Sequence, residues 1–186
     1  RPLRPSRSPA KRGAHPQLND CALRTPGLGW AQRAEKTSTR RIELDLTDKL
    51  SIERDCERLV TAYCHFIDHG EAERVADLFS EEGCWISAEA TLEGREGIRK
   101  AMAARQANTG RMSRHVCNNL RLDIQDENSA SGTVYLTLYR SDGKPDRSLA
   151  PLEGPAMVGE YRDRFVRTAQ GWRISHREIV IDFLRR

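Results

Sequence analysis

The sequence predicts an α+β domain in which helices come first and a strongly curved antiparallel or mixed sheet follows. Apolar residues recur at three- and four-residue steps from about residue 48 to His69, which is typical of a long amphipathic helix. From His115 onward, alternating residues separated by turn-forming stretches indicate successive strands. The chain has 186 residues and 38% hydrophobic content, enough for one domain with a substantial core.

Three helices are expected before the sheet. The first should be capped by Asp48 or Ser51 and end near His69, because Gly70 can take the left-handed conformation that stops a helix. A second, short helix should carry Val75, Leu78 and Phe79, and a third should run from Gly94 to Gln106. The apolar stripe of the first helix consists of Ile52, Cys56, Leu59, Val60, Tyr63, Phe66 and Ile67.

One strand should hold Trp85 and Ile86, and four more should follow the third helix. The four are expected near residues 115–125, 131–141, 156–168 and 172–183. Both faces of these strands carry apolar residues, so each face of the sheet should pack against another part of the protein. One face can pack on the long helix and enclose a pocket, while the other can pair with a second subunit.

The first part of the chain differs in composition from the rest. Residues 1–41 hold ten Lys or Arg, two acids and five of the eight prolines, without a sustained apolar period. We therefore predict a disordered basic tail over residues 1–45 and a folded domain over residues 46–186. Residues 1–41 carry a net charge of +8 and leave −4 for the remaining 145 residues, which argues against a nucleic-acid surface on the folded part. The sequence contains no run of 18 apolar residues, so it does not predict a membrane span.

Five cysteines are scattered without a Cys-x-x-Cys pair, which favours reduced, mostly buried thiols and a cytoplasmic location. Cys56 and Cys64 share a face of the long helix. Cys117 lies two residues after His115, which opens the alternative of a catalytic cysteine. A strand places such neighbours about 7 Å apart, however, so the histidine would be a poor activator of the thiol.

Asp68 and His115 are the main catalytic candidates. Asp68 lies where the long helix ends, and His115 opens a strand. A sheet that curls over the helix end would bring the imidazole and the carboxylate together as a general base with its orienting partner. The alternative is a histidine of the core that is merely satisfied by Asp68. His65 and His69, four residues apart, could also contribute to a metal site, but no His-Glu-x-x-His motif accompanies them.

Several short motifs in this order resemble the SnoaL-like branch of the nuclear-transport-factor-two-like superfamily, which includes scytalone dehydratase, hexachlorocyclohexane dehydrochlorinase and polyketide cyclases. The resemblance covers roughly residues 48–183 and implies a cystatin-like α+β barrel. Its motifs occupy residues 67–70, 76–85, 94–98, 114–119 and 171–174.

This resemblance implies a lyase or isomerase that needs no cofactor or metal. Asp68 and His115 match the family dyad, Trp85 matches a pocket aromatic residue, and Arg167 is the expected pocket arginine. Tyr63 stands where the dehydrochlorinase has a lysine, which argues against halide elimination. The substrate would be a small, mostly apolar cyclic molecule. The expected substrate contacts are Tyr63, Trp85, Asn119, Tyr139, Tyr161 and Arg167.

The expected partners follow from the same comparison. An enzyme of this kind should form a homodimer or homotrimer. The β subunits of ring-hydroxylating dioxygenases share the fold and similar motifs, so a structural subunit bound to a larger dioxygenase α subunit is the main alternative. A ligand-binding protein without chemistry is the third. A paired Asp68 and His115 would favour the enzyme, because a purely structural subunit has no need of a base.

Overall fold

A computed structural model describes residues 44–143, 149–150 and 153–185 of the chain. All of them belong to one compact unit that spans residues 39–186. The tail predicted for residues 1–45 therefore lies almost wholly outside the described residues. At its end, Leu44 already packs against the core.

Helix α1 spans Leu46–Asp68 and ends where the sequence predicted. Its cap is Asp45, whose Oδ1 accepts a hydrogen bond of 2.8 Å from the backbone N–H of Asp48, so the expected cap at Asp48 or Ser51 was one or two turns too late. Gly70 has a φ of +81°, the left-handed conformation that glycine adopts without steric cost. This turn stops the helix and leaves Asp68 at its last position.

Two shorter helices and six strands complete the domain. A 3₁₀ helix covers Ala72–Leu78 and helix α2 covers Gly94–Ala107. The strands are β1 (Phe79–Ile86), β2 (Thr91–Glu93), β3 (Met112–Ile124), β4 (Ser129–Ser141), β5 (Met157–Thr168) and β6 (Gly171–Leu184). None of the helices described here is long and apolar enough to cross a membrane.

The strands form one open, mixed sheet in the order β2-β1-β6-β5-β4-β3. β1 and β6 run parallel, and the other neighbours run antiparallel. The predicted α+β class and the four long strands are confirmed. The three-residue β2 was missed because it is too short to show an alternation.

The core lies between α1 and one face of the sheet. On β3, His115 is paired with Leu138 and Cys117 with Leu136, and both leucines are buried. Directly paired residues share a face, so His115 and Cys117 point toward α1. Val116 lies between them on the opposite face and is 46% exposed. The register of β3 and β4 thus turns the predicted histidine toward the helix that carries Asp68.

Candidate active site

The Asp68 carboxylate is buried at the end of α1 and binds the start of β3. Its Oδ1 accepts hydrogen bonds from Ser113 Oγ at 2.8 Å and from His115 Nδ1 at 2.7 Å. Its Oδ2 accepts the backbone N–H of His115 at 2.7 Å. Burial by itself would raise the pKa of Asp68, but these hydrogen bonds outweigh it and hold the pKa below its usual value. The carboxyl group is therefore ionised near neutral pH.

The ionised Asp68 fixes the tautomer of His115. A carboxylate can only accept hydrogen bonds, so the proton of the neutral ring lies on Nδ1. Nε2 then carries the lone pair and can accept a proton. Because the backbone N–H of His115 binds the same carboxylate, both the ring and its strand are anchored to Asp68. This is the arrangement of a general base with an orienting carboxylate.

His115 lines a cleft of about 260 Å³ between α1 and β3. Asn119 forms part of its wall at a bulge in β3, where its φ is +53°. Such bulges re-aim side chains and widen a strand locally. The other lining residues are Glu57, Val60, Thr61, Cys64, Cys117, Asn118, Leu120 and Val134.

A buried aromatic and charged cluster occupies the interior beside α1. Tyr63 OH accepts a hydrogen bond of 2.9 Å from Trp85 Nε1, and its ring meets that of Tyr161 edge-on at 5.6 Å. Arg177 lies with its guanidinium carbon 4.2 Å from each of the two tyrosine ring centres. Asp163 binds it with Nε–Oδ1 and Nη2–Oδ2 distances of 2.8 and 2.6 Å. The cluster thus holds a buried Arg177–Asp163 ion pair inside an otherwise largely apolar core.

The ionisation states of this cluster follow from its burial and pairing. Burial raises the pKa of Tyr63 to about 12, and it also raises that of Tyr161, so both phenols are neutral. For Arg177, burial alone would lower the pKa, but the adjacent Asp163 carboxylate raises it. Arg177 Nη1 is buried without a hydrogen-bond partner among the described residues.

Of the eight predicted site residues, His115 and Asn119 line the cleft, Asp68 binds His115, and three others lie in the buried aromatic and charged cluster. Tyr139 and Arg167 lie in neither place. Tyr139 is paired with Arg114 on the face of the sheet that points away from α1. Arg167 is exposed near the end of β5, where it is paired with Trp172. The three in the cluster are Tyr63, Trp85 and Tyr161, so the predicted aromatic lining of the pocket is not found at the cleft.

Arg177 was missed because of a local irregularity in β6, and its partner Asp163 on β5 was missed as well. Strict alternation from Trp172 and Ile174 would turn His176 inward. The β5–β6 register shifts by one residue at this point, so Arg177 faces the core instead. Asp163 did carry a signal, since alternation between Tyr161 and Phe165 places it inward.

Ser113 was also missed. It lies two residues before His115 on the same face of β3, which places its hydroxyl beside the helix end. Arg105, on α2, donates a hydrogen bond of 3.4 Å from its Nη2 to Ser113 Oγ. Ser113 therefore links the Asp68 carboxylate of α1, through β3, to a side chain of α2.

A larger open groove of about 820 Å³ lies elsewhere on the domain. It is lined by residues of β1, β4, β5 and β6 together with adjoining turn residues, and none of them is a histidine or cysteine. Its polar lining includes Glu81, Glu82 and Arg164. The smaller cleft is the better candidate for chemistry, because it holds the only histidine among the described residues that is hydrogen-bonded to a carboxylate.

Comparison with known proteins agrees with this fold. The model of the SnoaL-like domain family matches residues 48–178. The comparison with curated proteins found no match. Among solved structures, a candidate scytalone dehydratase from Novosphingobium aromaticivorans is similar, with a TM-score of 0.62 and 20% identity over 74% of this chain and 88% of the other.

Two further structures show the same fold. A hexachlorocyclohexane dehydrochlorinase of type 2 has a TM-score of 0.62 and 17% identity over 75% of this chain and 90% of its own. A nuclear-transport-factor-two-like protein with a cystatin-like fold, also from Novosphingobium aromaticivorans, has a TM-score of 0.60 and 24% identity over 74% of this chain and 90% of its own. At these identities the likeness establishes the architecture.

Proposed function

Because the chain belongs to the SnoaL-like domain family, we propose that it is a lyase or isomerase that works without a cofactor and uses Asp68 and His115 as its catalytic dyad. The observation that carries this proposal is the 2.7 Å hydrogen bond from His115 Nδ1 to the buried Asp68 carboxylate, beside a cleft that His115 lines. A dehydratase and a dehydrochlorinase are among the proteins of similar fold, which supports the reaction class.

The reaction begins with proton transfer from substrate to His115 Nε2. The electron pair of the broken C–H bond forms a new double bond, and the leaving group departs with the pair of its own bond. In an isomerisation the pair shifts within the substrate instead. Asp68 stabilises the imidazolium that forms, as the carboxylate of a catalytic triad does. The imidazolium then returns its proton to the leaving group, to water or to the product.

The wall of the cleft beside the dyad fits a small, partly apolar substrate. Val60, Leu120 and Val134 supply apolar surface, and Asn118 and Asn119 supply polar groups that can orient the substrate. The cluster of Tyr63, Tyr161 and Arg177 is buried and does not line the cleft. A cleft of about 260 Å³ limits the substrate to a small molecule of one or two rings.

The test is elimination or isomerisation of a panel of small cyclic compounds that carry an acidic C–H next to a hydroxyl, ether or halide leaving group. Product formation is followed by chromatography with mass detection. His115→Ala should lower turnover of an accepted compound by at least about 100-fold, the usual contribution of a general base. Asp68→Asn should lower it almost as much, because an amide cannot stabilise the imidazolium.

His69→Ala is the matched control. His69 is exposed at the end of the same helix and stacks on His65 at 4.2 Å, outside the cleft. Its removal should leave turnover unchanged, and all three variants should keep the circular dichroism spectrum of the wild type. If His115→Ala turned over an accepted compound as fast as the wild type, the dyad would not be catalytic. Co-purification with a larger iron-containing subunit would then favour the structural-subunit alternative.

A further inference from the structure

Two thiols from different elements meet in the cleft. Cys64 Sγ on α1 lies 3.4 Å from Cys117 Sγ on β3, although 53 residues separate them in the chain. Both side chains line the cleft, so a small polar reagent that enters it can reach them. By contrast, Cys56 and Cys84 are 0% and 2% exposed and line none of the cleft.

The approach of the two thiols is fixed by the same packing that forms the dyad. Cys64 precedes Asp68 by about one helical turn, a rise of about 6 Å. Cys117 follows His115 by two strand residues, a rise of about 6.7 Å. The chain runs toward Asp68 in α1 and away from His115 in β3. A step back from Asp68 to Cys64 and a step forward from His115 to Cys117 therefore lead in the same direction over similar distances. The helix–strand contact that joins residues 68 and 115 therefore also joins residues 64 and 117.

Disulfide formation requires only a short movement. An S–S bond is about 2.05 Å long, so the sulfur atoms must approach by about 1.4 Å. Rotation of two side chains on packed elements can provide much of this distance. The existing thiol contact thus places the pair close to the bonded geometry before any oxidant arrives.

The two thiols differ in character. A hydrogen bond from Cys64 lowers the pKa of Cys117 more than burial raises it, and the positive charge of Arg177 lowers it further. The same hydrogen bond and burial raise the pKa of Cys64. Cys117 is also the more exposed of the two, so it is the sulfur that more readily becomes a thiolate and acts as a nucleophile.

We propose that Cys64 and Cys117 form a peroxide-reactive dithiol that closes reversibly into a disulfide across the cleft. The Cys117 thiolate attacks one oxygen of hydrogen peroxide, the O–O bond breaks, and Cys117 becomes a sulfenic acid while hydroxide leaves. The Cys64 sulfur then attacks the sulfenic sulfur, the S–O bond breaks, and water leaves as the disulfide forms. Two thiols are oxidised and one peroxide is reduced to water. A small dithiol reductant reverses the step by thiol–disulfide exchange.

Peptide mapping of the full chain tests the proposal without any assay of catalysis. The protein is treated with an equimolar amount of hydrogen peroxide, alkylated and digested with trypsin. Cleavage after Arg58, Arg74, Arg114 and Arg121 places Cys64 in residues 59–74 and Cys117 in residues 115–121, apart from the other cysteines. The expected product is a cross-link between these two peptides that dithiothreitol removes. Alkylation of both cysteines at the same level as in untreated protein would overturn the proposal.

Single variants separate the two roles. In Cys64→Ser, the sulfenic acid on Cys117 should persist and be trapped by dimedone, because its resolving partner is gone. In Cys117→Ser, Cys64 should react much more slowly with peroxide. Cys56 lies on the same helix as Cys64 but outside the cleft, so the Cys56→Ala variant should form the cross-link as the wild type does. A cross-link that joined Cys64 or Cys117 to another cysteine instead, or over-oxidation of Cys117 without any cross-link in the wild type, would contradict the pairing.

Discussion

At the scale of single residues, the site depends on how one carboxylate is held. Asp68 is removed from water at the end of a helix, where the macrodipole and burial both disfavour its charge. Ser113 and His115 compensate with direct hydrogen bonds, so the charge is kept. The same contacts that orient a base therefore also stabilise the fold, and acid should weaken both.

Asp68→Asn should reveal this contribution through the pH dependence of stability. The pKa of Asp68 is lower in the folded chain than in the unfolded chain, where it is about 3.9. Its stabilisation is therefore fully present above that pH and is lost as the pH falls through the folded-state pKa. Near pH 7 the variant should lose about 1.5–3 kcal/mol, the usual contribution of hydrogen bonds to a charged group.

Urea unfolding at a series of pH values measures the difference between wild type and variant. It should be largest near neutral pH and shrink toward zero in strong acid. Asp123→Asn is the control, because Asp123 is an exposed residue of the same strand whose ion pair with Arg121 is 3.4 Å long. Its effect should stay within about 0.5 kcal/mol. A constant difference for Asp68→Asn at every pH would show that the carboxylate charge contributes nothing.

At the scale of elements, irregularities in the strands decide which side chains face α1. The shift between β5 and β6 brings Arg177 inward, and a second shift lies beside Gly159 on β5. A Cβ atom at Gly159 would lie 2.0 Å from the carbonyl oxygen of Val180. The two strands therefore approach each other there more closely than any residue but glycine allows.

Two glycine-to-alanine substitutions should consequently have opposite effects on stability. Gly159→Ala forces the β5 and β6 backbones apart and should destabilise the domain by about 1–3 kcal/mol. Gly97 lies in α2, and nothing lies within 4 Å of the methyl group that alanine would add there. Gly97→Ala should therefore stabilise the domain by up to about 1 kcal/mol. Thermal unfolding of both variants measures the difference. Equal melting temperatures would mean that the close approach at Gly159 relaxes without cost.

At the scale of the whole molecule, the face of the sheet opposite α1 carries an apolar row. Val116, Thr137, Val158 and Phe183 are paired in succession across β3, β4, β5 and β6. Val116 and Phe183 are 46% and 70% exposed, and Tyr135 on the same face is 54% exposed. Exposed apolar patches of this kind are typical of protein interfaces. A second copy of the chain is the occupant we expect.

Multi-angle light scattering at micromolar concentration should therefore return the mass of a homodimer or homotrimer. Phe183→Lys should shift the population toward the monomer, because it places a charge in the apolar row. Lys49→Glu, an exposed change at the start of α1, should not affect the mass. A monomer in the wild type at this concentration would remove the argument from the two-sided strands.

The sequence alone determined the fold class, the long helix with its stop at Gly70 and the four long strands. These features depend on local periodicity and on turn residues, which neighbouring positions in the chain display directly. The inward position of Arg177 and the contacts that join Asp68 to His115 and Cys64 to Cys117 were decided by the tertiary structure. A one-residue shift in strand register reverses the face of every side chain that follows it, and no local pattern announces such a shift. The meeting of residues 53 positions apart likewise depends on how α1 crosses β3, which only packing of the whole domain fixes.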